Sequence, residues 1–77
     1  MTIQILGSGC AKCNTLEANA KEAVASLGIE AEVVKITDMD EIMEMGVMMT
    51  PALAVDGDVK TTGKLLKPSE IEELLKD

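Results

Sequence analysis

The chain has 77 residues, 47% of them hydrophobic, with seven lysines against fourteen acidic residues for a net charge of −7, and no arginine, histidine or aromatic residue. That balance excludes a nucleic-acid binder, which needs a basic face to displace counterions from phosphates, and it excludes docking on an anionic membrane. Without histidine, hydrolytic triads and most zinc or general-base sites are also out of reach.

A chain this short makes one domain, residues 1–77, that buries only roughly 60–65% of its unfolded surface. With no rings available, Ile, Leu, Val, Ala and six methionines must build the core, the flexible thioether filling gaps. Residues 1–6 carry no basic leader, and no apolar run approaches the roughly 18–20 residues of a membrane span, so a cytoplasmic location is expected. In a reducing compartment, a close pair of cysteines is expected to be catalytic or metal-binding, not a structural staple.

Thr2-Ile3-Gln4-Ile5-Leu6 alternates and is rich in β-branched residues, which predicts a first strand. Gly7, Ser8 and Gly9 break it. From Cys10 onward Leu16, Ala20, Ala23, Val24 and Leu27 recur at helical spacing, with Glu17, Lys21 and Glu22 on the other side. Cys13 joins the apolar stripe three residues before Leu16, whereas Cys10 falls at the helix entrance; Gly28 supplies a helix stop. Glu30 to Ile36 reads as a second strand, which a helix of about four turns would make parallel to the first.

Thr37 offers an N-cap with Asp40 three residues on. The short helix that follows carries Met39, Ile42 and Met43 on one face and closes at Gly46. Two extended runs, Ala52–Val55 and Asp58–Thr62, flank Asp56-Gly57, a type I′ hairpin signal. A last helix opens at Pro68 with Glu70, Glu72 and Glu73 early and Ile71, Leu74 and Leu75 on its buried face. The fold class is therefore α/β, ordered β-α-β-α-β-β-α, with a four-stranded mixed sheet and helices on both faces.

That order, with C-x-x-C after the first strand and Thr50-Pro51 before the third, resembles the thioredoxin/glutaredoxin fold in its shortest form. Nearly the whole chain is covered, and it looks like the small prokaryotic redox-active disulfide proteins of that family. The resemblance implies a protein dithiol–disulfide oxidoreductase with no cofactor beyond a Cys10–Cys13 disulfide and no metal. It also implies that Pro51 is cis and packs against the dithiol, and that Thr50 pairs with substrate backbone. Fuller thioredoxins carry an aromatic before the first cysteine and Gly-Pro between the two, where this chain has Gly9 and Ala11-Lys12. Glutaredoxins use aromatic and basic residues that are missing here, so a reductase protein is expected as electron donor in place of glutathione.

The thiols themselves support that chemistry. At a helix N-terminus, unpaired N–H groups and the positive end of the dipole favour a Cys10 thiolate, and Lys12 adds positive charge. Cys10 is thus expected to attack substrate disulfides and Cys13 to resolve the mixed disulfide. The expected partners are protein disulfide substrates and a reductase, and the chain is expected to act as a monomer. Met45, Met48 and Met49 read first as gap-fillers of the core; an adaptable rim for a partner protein and thioether ligands for copper(I) are the alternatives. Two other readings of the whole chain stay open: a C-x-x-C copper chaperone of the heavy-metal-associated type, which would be ordered β-α-β-β-α-β, and a non-catalytic redox-regulated binding module of the same fold.

Overall fold

The computed structural model describes residues 1–7 and 11–76. Its elements are β1 (Thr2–Leu6), α1 (Ala11–Leu27), β2 (Glu32–Ile36), α2 (Met39–Glu44), β3 (Ala52–Val55), β4 (Asp58–Thr62) and α3 (Pro68–Leu75). The four strands form one mixed sheet in the order β2-β1-β3-β4. β1 and β2 run parallel, Thr2 opposite Glu32 through Leu6 opposite Ile36. β3 is antiparallel to both β1 and β4. α2 separates β2 from the β3–β4 hairpin, so the β-α-β-β-α-β order of the heavy-metal-associated domains is not adopted.

Strand alternation sorts the core into two layers, because successive side chains leave a strand on opposite faces. Ile3 and Ile5 of β1 join Leu53 on one face, where α1 contributes Leu16, Ala20 and Ala23 and α3 contributes Ile71 and Leu75. Leu6, Ala52 and Ala54 point to the other face and meet Ile42 of α2 and Val47. Burial of each large aliphatic side chain contributes roughly 1.5–3 kcal/mol, and Ile3, Ile5, Leu6, Leu16, Leu53 and Ile71 are wholly enclosed. Asn19 Nδ2 donates to the Leu66 carbonyl at 2.8 Å, fastening α1 to the segment that leads into α3.

The turn chemistry is as expected at the hairpin: Asp56 (φ 52°) and Gly57 (φ 84°) are both left-handed, as a type I′ turn requires. Asp56 Oδ1 also accepts from Thr2 N at 2.7 Å, tying the turn to the start of β1. A register shift between Leu53 and Ala54 leaves Lys60 as an extra residue in β4. Pro68 opens α3, and the Glu70 carboxylate accepts from the Lys67 N–H at 3.0 Å.

Three expectations are corrected. Thr37 is not the cap of α2; Asp38 is, its carboxylate accepting from Asp40 N at 2.9 Å, because the helix starts one residue later than the Thr37 reading requires. Of the α2 stripe only Ile42 is buried, while Met39 and Met43 are 51% and 68% exposed: a helix this short has one face over the sheet. The second strand is shorter than Glu30–Ile36, beginning at Glu32. Among the described residues, no helix is long and apolar enough to cross a membrane.

Candidate active site

The site forms at the carboxyl end of the parallel pair, around Gly7. Gly7 continues β1, its N–H donating to the Ile36 carbonyl of β2 at 3.0 Å. On one side stands Cys13, in the first turn of α1 and fully buried. On another stands Thr50, whose peptide bond to Pro51 is cis as the family resemblance implies. Both side chains border the same point. A Cβ placed on Gly7 would fall well inside 3.0 Å of Cys13 Sγ, 3.1 Å from Cys13 Cβ and 3.9 Å from Thr50 Cβ. The chain needs glycine here because a sulfur occupies the space a side chain would fill.

Burial puts the two halves of the Thr50-Pro51 dipeptide to different uses. Thr50 is exposed and Pro51 buried, and the Pro51 carbonyl accepts from Gly63 N at 2.8 Å, anchoring the start of β3 to the end of β4. Cys13 has the placement its helical spacing predicts, with its sulfur inward on the apolar stripe of α1. Cys10, with Ser8 and Gly9, lies outside the described residues. Lys12 is exposed.

A second lysine, which the sequence does not single out, bears on the same turn. Lys35 of β2 reaches across to α1, where its ammonium donates to the Asn14 side-chain oxygen and lies 3.7 Å from Glu17 Oε1. It holds the first turns of α1, including the residue next to Cys13, to β2. Sequence spacing had no signal for it, because the pairing exists only once β2 lies beside the helix.

The methionines divide. Met45 packs against the smaller core layer as a gap-filler should. Met48 and Met49 do not: they are 95% and 64% exposed, since after the buried Val47 the chain from Met48 to Thr50 runs over the surface to reach β3. Met49 is nonetheless seated, its Cβ and Cε lying 3.3 Å from where a Gly63 Cβ would be. The residue missed outright is Gly7, read from sequence only as a strand breaker; its one signal is its position, at the strand end directly before the cysteine loop.

A family profile described as a thioredoxin domain matches residues 1–76. The chain is 52% identical over 75 residues to a thioredoxin of Methanothermobacter thermautotrophicus, covering 97% of each chain. It is 47% identical over 76 residues to a thioredoxin of Methanocaldococcus jannaschii, covering 99% of this chain and 87% of that one. With the β-α-β-α-β-β-α order and the sheet already described, the chain belongs to the thioredoxin family of thiol–disulfide oxidoreductases.

Proposed function

We propose that the protein is a single-domain dithiol oxidoreductase that reduces disulfides in protein substrates through Cys10 and Cys13. The observation that carries the reading is the convergence of the buried Cys13 sulfur, the side-chain-free Gly7 and the exposed Thr50 at one end of the sheet. Cys10, three residues before Cys13, attacks as thiolate. One substrate S–S bond breaks, a Cys10–substrate disulfide forms, and the first substrate sulfur leaves as a thiol. Cys13 then attacks the Cys10 sulfur, releasing the second substrate thiol and leaving a Cys10–Cys13 disulfide. Two electrons and two protons pass to the substrate, and a reductase protein returns them.

The division of labour follows from burial. A fully buried thiol stays protected from outside disulfides, which suits Cys13 to the second step. Thr50 presents its backbone to the extended substrate, with Pro51 behind it, and Lys12 favours the thiolate of Cys10. No cofactor beyond the dithiol takes part.

Reduction of insulin disulfides in the presence of a dithiol tests the reading. Wild type is expected to accelerate it, Cys10→Ser to abolish the acceleration, and Cys13→Ser to accumulate a covalent substrate adduct that excess dithiol releases. Wild-type activity no greater than the dithiol background would overturn it in favour of a binding module.

A further inference from the structure

Away from the cysteines, the sheet face under α2 is incompletely covered. The opposite face carries helices of seventeen and eight residues, whereas α2 has six. Beside it remains a cleft of about 520 Å³ lined by Gln4, Ile36, Glu41, Glu44 and Met45. Ile36 and Met45 give it an apolar floor, for both pack against the smaller core layer. Glu41 and Glu44, three apart on the helix and therefore neighbours on its surface, put two carboxylates at its edge. On the other flank of α2, Met39 and Met43 are exposed at i, i+4. Asp38 and Asp40 are exposed at its beginning.

Charge decides what covers this surface. The ion pairs among the described residues join Lys21 and Lys35 to Glu17, Lys60 to Asp58 and Lys76 to Glu73. None reaches α2, so its carboxylates face outward without an internal counter-charge. From the apolar floor and the acidic edge together, we infer that α2 and its cleft are a docking surface for a basic protein partner. A lysine or arginine side chain of that partner enters the cleft. Its aliphatic stem lies on Ile36 and Met45, and its charged head meets Glu41 and Glu44; long basic side chains divide themselves between apolar and polar surroundings in this way. Met39 and Met43, on the other flank of α2, supply a further apolar contact to a partner that spans the helix, where flexible thioethers adapt to its shape. An acidic partner would be repelled from this face.

The inference goes beyond the redox reading and needs neither thiol, so the two can fail separately. The test titrates the reduced, ¹⁵N-labelled full chain with a synthetic fourteen-residue amphipathic Lys/Leu peptide and follows amide shifts. Saturable shifts are expected at residues 36, 39–45 and 4. Glu41→Gln/Glu44→Gln should weaken binding by about tenfold, equivalent to about 1.4 kcal/mol, and Met39→Ser/Met43→Ser by a similar factor. Glu72→Gln/Glu73→Gln on α3 removes the same charge and should leave the affinity within about twofold. A Glu/Leu peptide should not bind. Shifts as large on α3 as on α2, or equal weakening by the α3 variant, would mean that only the net charge is sensed and would overturn the proposal. So would the absence of saturable shifts. The substituted side chains are exposed, Glu72 alone being half-buried, and the dispersed spectrum of each free variant reports that it is folded.

Discussion

Gly7→Ala puts a methyl group where the Cys13 sulfur sits. The added carbon falls inside the 3.0 Å that real Cβ atoms essentially never cross, so the sulfur has to retreat by over an ångström to reach ordinary contact. It has little room, because Cys13 is wholly enclosed between α1 and the sheet, and forcing extra volume into packed surroundings costs about 1–3 kcal/mol. Gly7 is not in the left-handed region, so alanine recovers about 0.4–1 kcal/mol of unfolded-chain entropy. The net loss is about 1–2 kcal/mol, which lowers a urea midpoint by about 1–2 M for a domain with a slope near 1 kcal/mol/M. Cys13→Ala removes the sulfur and most of the clash. In that background Gly7→Ala is expected to cost only a few tenths of a kcal/mol, since a Cβ contact at 3.1 Å remains. The same substitution should slow the resolving step, so that the Gly7→Ala enzyme accumulates more mixed disulfide during insulin reduction than wild type. If Gly7→Ala unfolds at the wild-type midpoint, or if Cys13→Ala fails to rescue it, the sulfur-against-glycine argument is wrong.

Other substitutions test separate parts of the structure. Leu53→Ala empties the centre of the larger core layer, where Leu53 faces Ile5 across the β1–β3 pair; it should cost about 2–5 kcal/mol, read from urea denaturation. Asp56→Ala loses the hydrogen bond to Thr2 N and leaves a Cβ residue at positive φ without the local bonding aspartate offers. It is expected to cost about 1–2 kcal/mol by thermal denaturation, with Asp56→Asn losing much less. Lys35→Met releases Asn14 and Glu17; because both partners are partly exposed, the stability change should stay below about 1 kcal/mol and shrink with added salt. Lys12→Met should raise the pKa of the reactive thiol followed by thiolate absorbance, and an unchanged titration would remove Lys12 from the site.

The chain order of elements was legible because each carries a local cause. Alternation marks β1, helical spacing marks α1 and α3, Asp56-Gly57 demands the hairpin, and Pro68 opens the last helix. The inward placement of Cys13 was legible for the same reason: three residues from Leu16, it must share the helix stripe. Where local signals were weak, the reading drifted. A six-residue helix has too few turns for spacing to separate a buried Ile42 from exposed Met39 and Met43, and adjacent Thr37 and Asp38 are both good caps.

By itself, then, the sequence determined the fold class and the family, since these depend on residue type and spacing. Tertiary structure decided what depends on distant segments meeting. It set Gly7 against a sulfur six residues away and beside Thr50, brought Lys35 to the turn that holds Cys13, and turned Met48 and Met49 outward. The physical reason is excluded volume. A glycine looks like a turn signal until the atom occupying its missing side chain is known, and only the packed chain supplies that atom.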